Sequence, residues 1–390
     1  MAGDPSLPRH GDRGERADRQ DRGDREPLRN ARAILVIRHR AGGDLLLTTP
    51  ALRALRAAVP GARIDVLALK DMGEILAGNP DVDRVIEFDR SSLRSRAGLY
   101  VRLARGGYDA VLDLVSNPHT SLLTRLTRAR VRIGYDIVGR RGAYTIRVPR
   151  EPMGPDGRPV IRYAPEAALD VLEAAGIPPR GLDLTFRVTE AARATIDAWL
   201  AGPEARRDET KPIVACLPTG SWPAKTWAKE RFAEAMDALA TEATILWIWG
   251  PGERAAVESA RAAMRAPSLV APATGWQELG ALLTRCAVLV SNDSGPKHIA
   301  VALDVPTVTI FGPTHPGTWH PPAGPHRALV ADGLDCLHCN ANVCPLPGDR
   351  RMRCMRDVGA ARVADAARAL LAEGRRRGTA AVGEATCANR

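Results

Sequence analysis

The chain has 390 residues, about twice the usual domain size, which predicts two domains with enough chain to bury two cores. Apolar residues at 45% and charged residues at 26% match an ordinary globular protein and exclude fibrous and collagen-like classes. The formal net charge of +10 favours anionic partners such as nucleotides, phosphorylated glycolipids or an acidic membrane surface. No apolar run approaches the ~18–20 residues of a membrane span, and the start of the chain lacks the apolar segment of a signal peptide, so a cytoplasmic protein is expected.

Residues 1–30 hold seven Arg and seven Asp or Glu with almost no large apolar residue, so disorder is expected there. The stretch 374–390 is similarly polar and rich in small residues and is expected to be a flexible tail, its Arg375, Arg376 and Arg377 able to touch lipid phosphates. Between them, short β-rich runs alternate with amphipathic stretches. Strands are predicted at 34–38, 64–69, 85–88, 110–114 and 131–135, with a helix over 45–59. Segments rich in Pro, Gly and charge at 151–159 and 202–212 interrupt this rhythm. It restarts with strands at 213–217, 244–249, 288–291 and 307–311, and helices at 229–239, 253–264, 276–285 and 296–303. The alternation implies an α/β fold with two doubly wound, Rossmann-like domains, divided as 31–190 and 191–373, and ligands bound in a cleft beyond the carboxyl ends of the strands.

The loops after the strands carry the chemistry. The first, RHRAGGD (38–44), places Asp44 either as a cap for the next helix or as a general base in the cleft, with Gly42 and Gly43 permitting a tight turn or a close approach. It lacks the G-x-G-x-x-G order of a dinucleotide fold, which argues against an oxidoreductase. The second loop, 217–227, offers Thr219, Ser221 and Lys225 to a diphosphate, or leaves Lys225 merely solvated. The third, SNDSGPKH (291–298), enters a helix, where Ser294 and Gly295 can hold phosphate at the positive end of the dipole and Asp293 or Ser294 can instead be a simple cap. His298 fits either a supporting or a packing role. Glu253, after W-G, can accept from ribose hydroxyls, and His315 and His320 lie in a Pro-rich loop where they reach the cleft or stabilise the loop.

Taken together, AGGDLLLTTPAL (41–52), the loop 218–227 and NDSGPKHIAVALDVPTVTIFGPT (292–314) resemble glycosyltransferase family 9, the ADP-heptose:lipopolysaccharide heptosyltransferases, over roughly residues 32–330. The resemblance implies a GT-B fold, with a nucleotide-diphosphate sugar donor held mainly by the second domain and a glycolipid or oligosaccharide acceptor met by the first. It places Asp44 as catalytic base, Lys225 and the turn Asp293, Ser294 and Gly295 at the donor phosphates, and Glu253 at the nucleoside. Inverting transfer of heptose from ADP-heptose to a lipopolysaccharide core or similar cell-envelope glycan follows, with no metal required for catalysis. A lipid-linked acceptor would bring peripheral contact with the anionic inner-membrane surface. A rival of another class is a non-catalytic nucleotide-sugar-binding or metal- and redox-sensing protein, in which Asp44 is only a cap. A nucleic-acid partner is not expected, since positive charge alone speaks for one.

Residues 335–355 form a Cys-rich segment. Cys336, Cys339, Cys344 and Cys354, in a C-x2-C-x4-C-x9-C spacing, fit a structural zinc site or an iron–sulfur cluster, against redox-active thiols or four unrelated cysteines.

Overall fold

The computed structural model describes residues 27–387, with side chains as far as 376. The first half is built from β1 (Ala33–Ile37), α1 (Gly42–Leu46), α2 (Thr49–Ala58), β2 (Arg63–Leu69), β3 (Arg84–Phe88), α3 (Leu93–Ala104), β4 (Ala110–Asp113), α4 (Pro118–Leu126), β5 (Val131–Tyr135), β6 (Ile146–Val148) and α5 (Ala164–Glu173). The second comprises α6 (Glu190–Ala201), β7 (Ile213–Leu217), α7 (Lys229–Asp237), β8 (Thr244–Trp247), α8 (Arg254–Ala262), β9 (Leu269–Val270), α9 (Trp276–Leu283), β10 (Val288–Asn292), α10 (Gly295–Ala302), β11 (Thr307–Phe311), α11 (Pro316–Trp319), β12 (His326–Val330), α12 (Arg353–Arg356) and α13 (Ala360–Cys387).

Each half is one six-stranded sheet, every strand pairing parallel to its neighbours, in the orders β3-β2-β1-β4-β5-β6 and β12-β11-β10-β7-β8-β9. Read outward from the first strand, the two orders are the same. Central strands such as AILVI in β1 and IVACL in β7 are buried along their whole length, as strands covered by helices on both faces must be. In each sheet the chain reverses its direction of winding beside the first strand. The loops leaving β1, β7 and β10 therefore emerge at the switch points, where a crevice forms outside the strand ends.

The sequence expectations differ from the structure in a few places. The helix expected over 45–59 is two helices, because Pro50 in the first turn of α2 has no N–H to continue the ladder, and the Thr49 hydroxyl donates to Leu46 O at 2.8 Å in its place. Helices α3 to α6 and the short strands β6, β9 and β12 lay outside the predicted set. The expected disorder of residues 1–30 lies mostly outside the described residues, but residues 27–30 form a turn with Leu28 fully buried. Helix α13 runs to Cys387 and takes in most of the stretch from 374 expected to be a flexible tail; its buried Val363, Ala367 and Leu371 nucleate a helix that Ala and Arg then extend readily.

The two halves meet along the cleft. Thr189 N–H donates to Gln277 Oε1 at 2.8 Å, Gln277 Nε2 donates to Glu74 O at 2.7 Å, and Trp276 N–H donates to Glu74 Oε2 at 3.0 Å. Gly42 and Gly43 do not make a tight turn. They open α1 and allow a close approach of the halves: a Cβ on Gly43 would stand 3.0 Å from Gly295 Cα and 3.1 Å from His298 Cδ2, and one on Gly42 would overlap Ile75 and the Trp276 ring. Since Gly43 meets backbone across the cleft, Gly43→Ala is expected to lower stability by about 1–3 kcal/mol through overpacking and to reduce activity more than thermal unfolding alone accounts for.

Candidate active site

Arg38, one residue past β1, fixes the acidic side of the crevice. Its guanidinium donates to Leu114 O at 2.6 Å, to Asp44 O at 3.2 Å and to Asp44 Oδ1 at 2.7 Å. Asp44 lies inside the first turn of α1, whose N-cap is Ala41, so the capping alternative does not hold. Its second oxygen, Oδ2, takes no bond from the described residues, and the side chain is 20% exposed. Arg38 thus sets the carboxylate's orientation and leaves one oxygen free, a role that its position at the head of the motif did not disclose.

Across the cleft, Asp293 sits at the end of β10 with 4% of its surface exposed. Oδ1 accepts from Lys297 Nζ at 2.5 Å, and Oδ2 accepts from Lys225 Nζ at 2.9 Å and from the Thr314 hydroxyl at 2.8 Å. Burial alone would raise its pKa, but the Lys297 and Lys225 ammoniums outweigh burial and hold the carboxyl well below the usual carboxylate range. Its contribution to stability is complete above the unfolded carboxylate's pKa of about 3.9 and is lost as the pH falls below it. Lys297, 0% exposed over the Phe311 ring, also donates to Trp319 O at 2.9 Å. Two ammoniums around one carboxylate leave a net charge of +1. Lys225, the more exposed cation, lies 4.3 Å from the Trp222 ring centroid. Lys297 was missed in the sequence because a Lys in a helical turn ordinarily faces water; Asn292 was missed too, although its buried amide ties β10 to the second loop through Pro218 O and Trp227 N–H.

Helix α10 begins at this pair. Ser294 is its N-cap but makes no side-chain cap bond, and the buried Ser294 Oγ and His298 Nδ1 have no hydrogen-bond partner among the described residues. Burial drives the His298 ring well below its ordinary pKa, so it is neutral. Unpaired buried polar atoms at a helix N-terminus beside a net positive pair mark a place for an anion. Glu253 and Thr219 are brought together rather than both turned to a ligand: Glu253 Oε2 accepts from the Thr219 hydroxyl at 2.7 Å and from Gly250 N–H at 2.9 Å. Ser221 is exposed on its loop. His315 Nδ1 accepts from Gly317 N–H at 2.9 Å, and His320 packs edge-on to Phe311, so both serve the Pro-rich loop itself.

The Cys-rich segment straps the second loop and the Pro-rich loop after β11. Ala224 N–H donates to Asn342 O, His338 N–H to Gly312 O and Asn340 N–H to Pro313 O, at 3.0, 3.1 and 2.7 Å. Cys354 is buried against Gly312, and its thiol is pushed up to about 11 by burial and then by neighbouring Cys336, Cys339 and Cys344. Cys339 is exposed, while Cys344 Sγ accepts from Met352 N–H. Among the described residues no group of three or more His, Cys, Asp or Glu is arranged to hold a metal ion, so the expected ligand tetrad is not assembled: Cys354 is packed inward, Cys339 is exposed, and Cys336 and Cys344 are half-buried.

Two matching parallel sheets, with an acidic loop on one side of the crevice and a lysine-rich helix start on the other, have the GT-B fold. Residues 96–348 match glycosyltransferase family 9 (heptosyltransferase), and the chain belongs to this family. It is 29% identical over 299 residues to lipopolysaccharide heptosyltransferase 3 of Escherichia coli K12, covering 72% of this chain and 82% of that protein. The fold matches the glycosyl transferase family 9 structure from Veillonella parvula with a TM-score of 0.76 at 24% identity, covering 90% of this chain and 99% of the other. It also matches E. coli ADP-heptose lps heptosyltransferase II at 0.70 and 20%, covering 88% and 99%.

The charge arrangement separates the two lysines. Lys225→Ala is expected to weaken nucleotide diphosphate binding by about tenfold or more while Asp293 stays paired with Lys297. Lys297→Ala, by exposing a buried carboxylate to one cation only, is expected to cost about 3–5 kcal/mol of stability. Calorimetric titration and thermal unfolding of the two variants check both.

Proposed function

We propose that this enzyme transfers heptose from ADP-heptose, with inversion, to a lipopolysaccharide core or similar cell-envelope glycan at the cytoplasmic side of the membrane. The observation that carries the reading is the buried Asp293 and Lys297 pair with half-buried Lys225, and the orphaned Ser294 Oγ and His298 Nδ1 beside it, on a helix whose first residue, Gly295, meets Gly43 of the helix that carries Asp44. Residues 191–373 bind the donor and residues 31–190 the acceptor.

Asp44 Oδ2 takes the proton of the acceptor hydroxyl as that oxygen bonds to the anomeric carbon. The bond from that carbon to the diphosphate oxygen breaks, and its electron pair leaves with the nucleotide. Lys225, the Ser294 hydroxyl, neutral His298 and the first N–H groups of α10 stabilise the negative charge that grows there. Glu253, its Oε2 engaged with Thr219, offers Oε1 to a ribose hydroxyl.

The strap on the second loop and on the Pro-rich loop gives the cysteines a structural part in this reading, and we propose that Cys336, Cys339, Cys344 and Cys354 close on a zinc ion or an iron–sulfur cluster as a staple outside the reaction once Cys354 turns out of its packing against Gly312. Metal analysis is expected to find it, and a chelator to lower the unfolding temperature without changing nucleotide selectivity; an unchanged unfolding temperature counts against the staple.

Titration with ADP, GDP and UDP is expected to show selective ADP binding. Asp44→Asn is expected to keep that affinity while turnover falls by about 10²–10⁴; a variant that retains turnover removes Asp44 from the mechanism.

A further inference from the structure

Residues 90–135 carry nine arginines and only two carboxylates, Asp109 and Asp113. Asp113 is buried and accepts from the Tyr144 hydroxyl and the Val115 and Ser116 N–H groups, and the one exposed carboxylate, Asp109, accepts from Arg32 and Ala33 N–H and pairs with none of the nine. Arg94, Arg96, Arg102 and Arg105 on α3, and Arg125, Arg128 and Arg130 at the end of α4 and beyond, are all exposed, and among the described residues none of them is in an ion pair. Elsewhere on the molecule arginines do find carboxylates, as Arg254 finds Glu258, Arg285 finds Asp197 and Arg368 finds Glu242.

Apolar side chains interrupt this charge. Leu93 is 77% exposed, Val101 51% and Leu122 47%. On α3 the exposed positions Arg94, Ala97, Gly98, Val101 and Arg105 follow the spacing of one helical stripe, opposite buried Leu99 and Leu103; on α4 the exposed Pro118, Leu122 and Arg125 do the same. The two helices pack side by side, and both start just past the carboxyl ends of strands, β3 and β4. At that end Arg90 donates to His39 O at 3.2 Å, and His39 and His119 lie ring to ring, five residues before Asp44 in the chain at His39.

We infer that the outer faces of α3 and α4 form a docking surface for an anionic lipid bilayer. Unpaired arginines meet acidic headgroups, and the short aliphatic side chains enter the boundary between headgroups and acyl chains. Nucleic acid shares the charge complementarity, but the face presents aliphatic groups and no exposed aromatic ring on which bases could stack. A surface that begins at the cleft rim lets a lipid-anchored acceptor keep its chains in the membrane while its sugar enters the crevice. In that respect the inference rests on the glycolipid-acceptor reading, whereas vesicle binding does not depend on transfer and can succeed or fail separately.

The experiment is flotation of the full chain with phosphatidylcholine vesicles with and without about 30% phosphatidylglycerol, at low and at high salt. The expected result is retention by the anionic vesicles only, reduced more than about tenfold by combining Arg94→Glu, Arg102→Glu and Arg128→Glu, and weakened by Leu93→Asp alone, with ADP affinity and unfolding temperature unchanged in both. Wild-type-like retention of the triple variant, no retention of the wild type, equal retention by neutral vesicles, or tighter binding to a DNA or RNA oligonucleotide would each overturn it. Loss of ADP binding in the unsubstituted chain, with vesicle retention intact, would instead overturn the donor reading and leave the docking surface standing.

Discussion

The contact between Gly43 and Gly295 decides where everything else in the active site can be. Backbone meets backbone there with no side chain between, so the helix carrying Asp44 and the helix that opens the anion pocket start within van der Waals distance of each other. A base on one domain and a leaving-group site on another need such proximity, and a single methyl group would take it away. The glycines of the first loop are therefore explained by the other half of the molecule, not by their own turn.

Charge around Asp293 is arranged with similar economy. A lone buried lysine would lose its proton or destabilise the fold, and a lysine paired one to one with aspartate would present no net charge. Two lysines on one carboxylate solve both difficulties. Lys297, inaccessible and anchored to Trp319 O, keeps Asp293 ionised, while Lys225 is held by the same carboxylate yet keeps part of its surface in water, which suits the phosphate role proposed for it.

Much of this was legible in the sequence. Near-continuous apolar strands alternating with helices announced two parallel sheets, and the Asp44, Lys225 and Asp293 loops stand where strand ends must lie. The parts that escaped depend on contacts distant in sequence. Helices α3 and α4 have so few buried apolar residues that their periodicity is faint, and Lys297 reads as a surface residue until Asp293 and Phe311 are seen around it. Thr219 looked like a phosphate donor because nothing in its own loop reveals Glu253 as its partner. Cysteine spacing shows how near four thiols are along the chain, but not that one of them turns inward against Gly312.

The polar strut between the halves has a consequence for how they part. Glu74 and Gln277 bridge the cleft through a few hydrogen bonds, with Gln277 buried and Glu74 exposed at the rim, where its carboxylate finds water as soon as it parts from Trp276 N–H. Separation at this edge is thus inexpensive, whereas the glycine contact beside it reforms only when the halves return to register. The same two glycines, with no side chain to yield between them, are thus the stop that sets the distance between the halves.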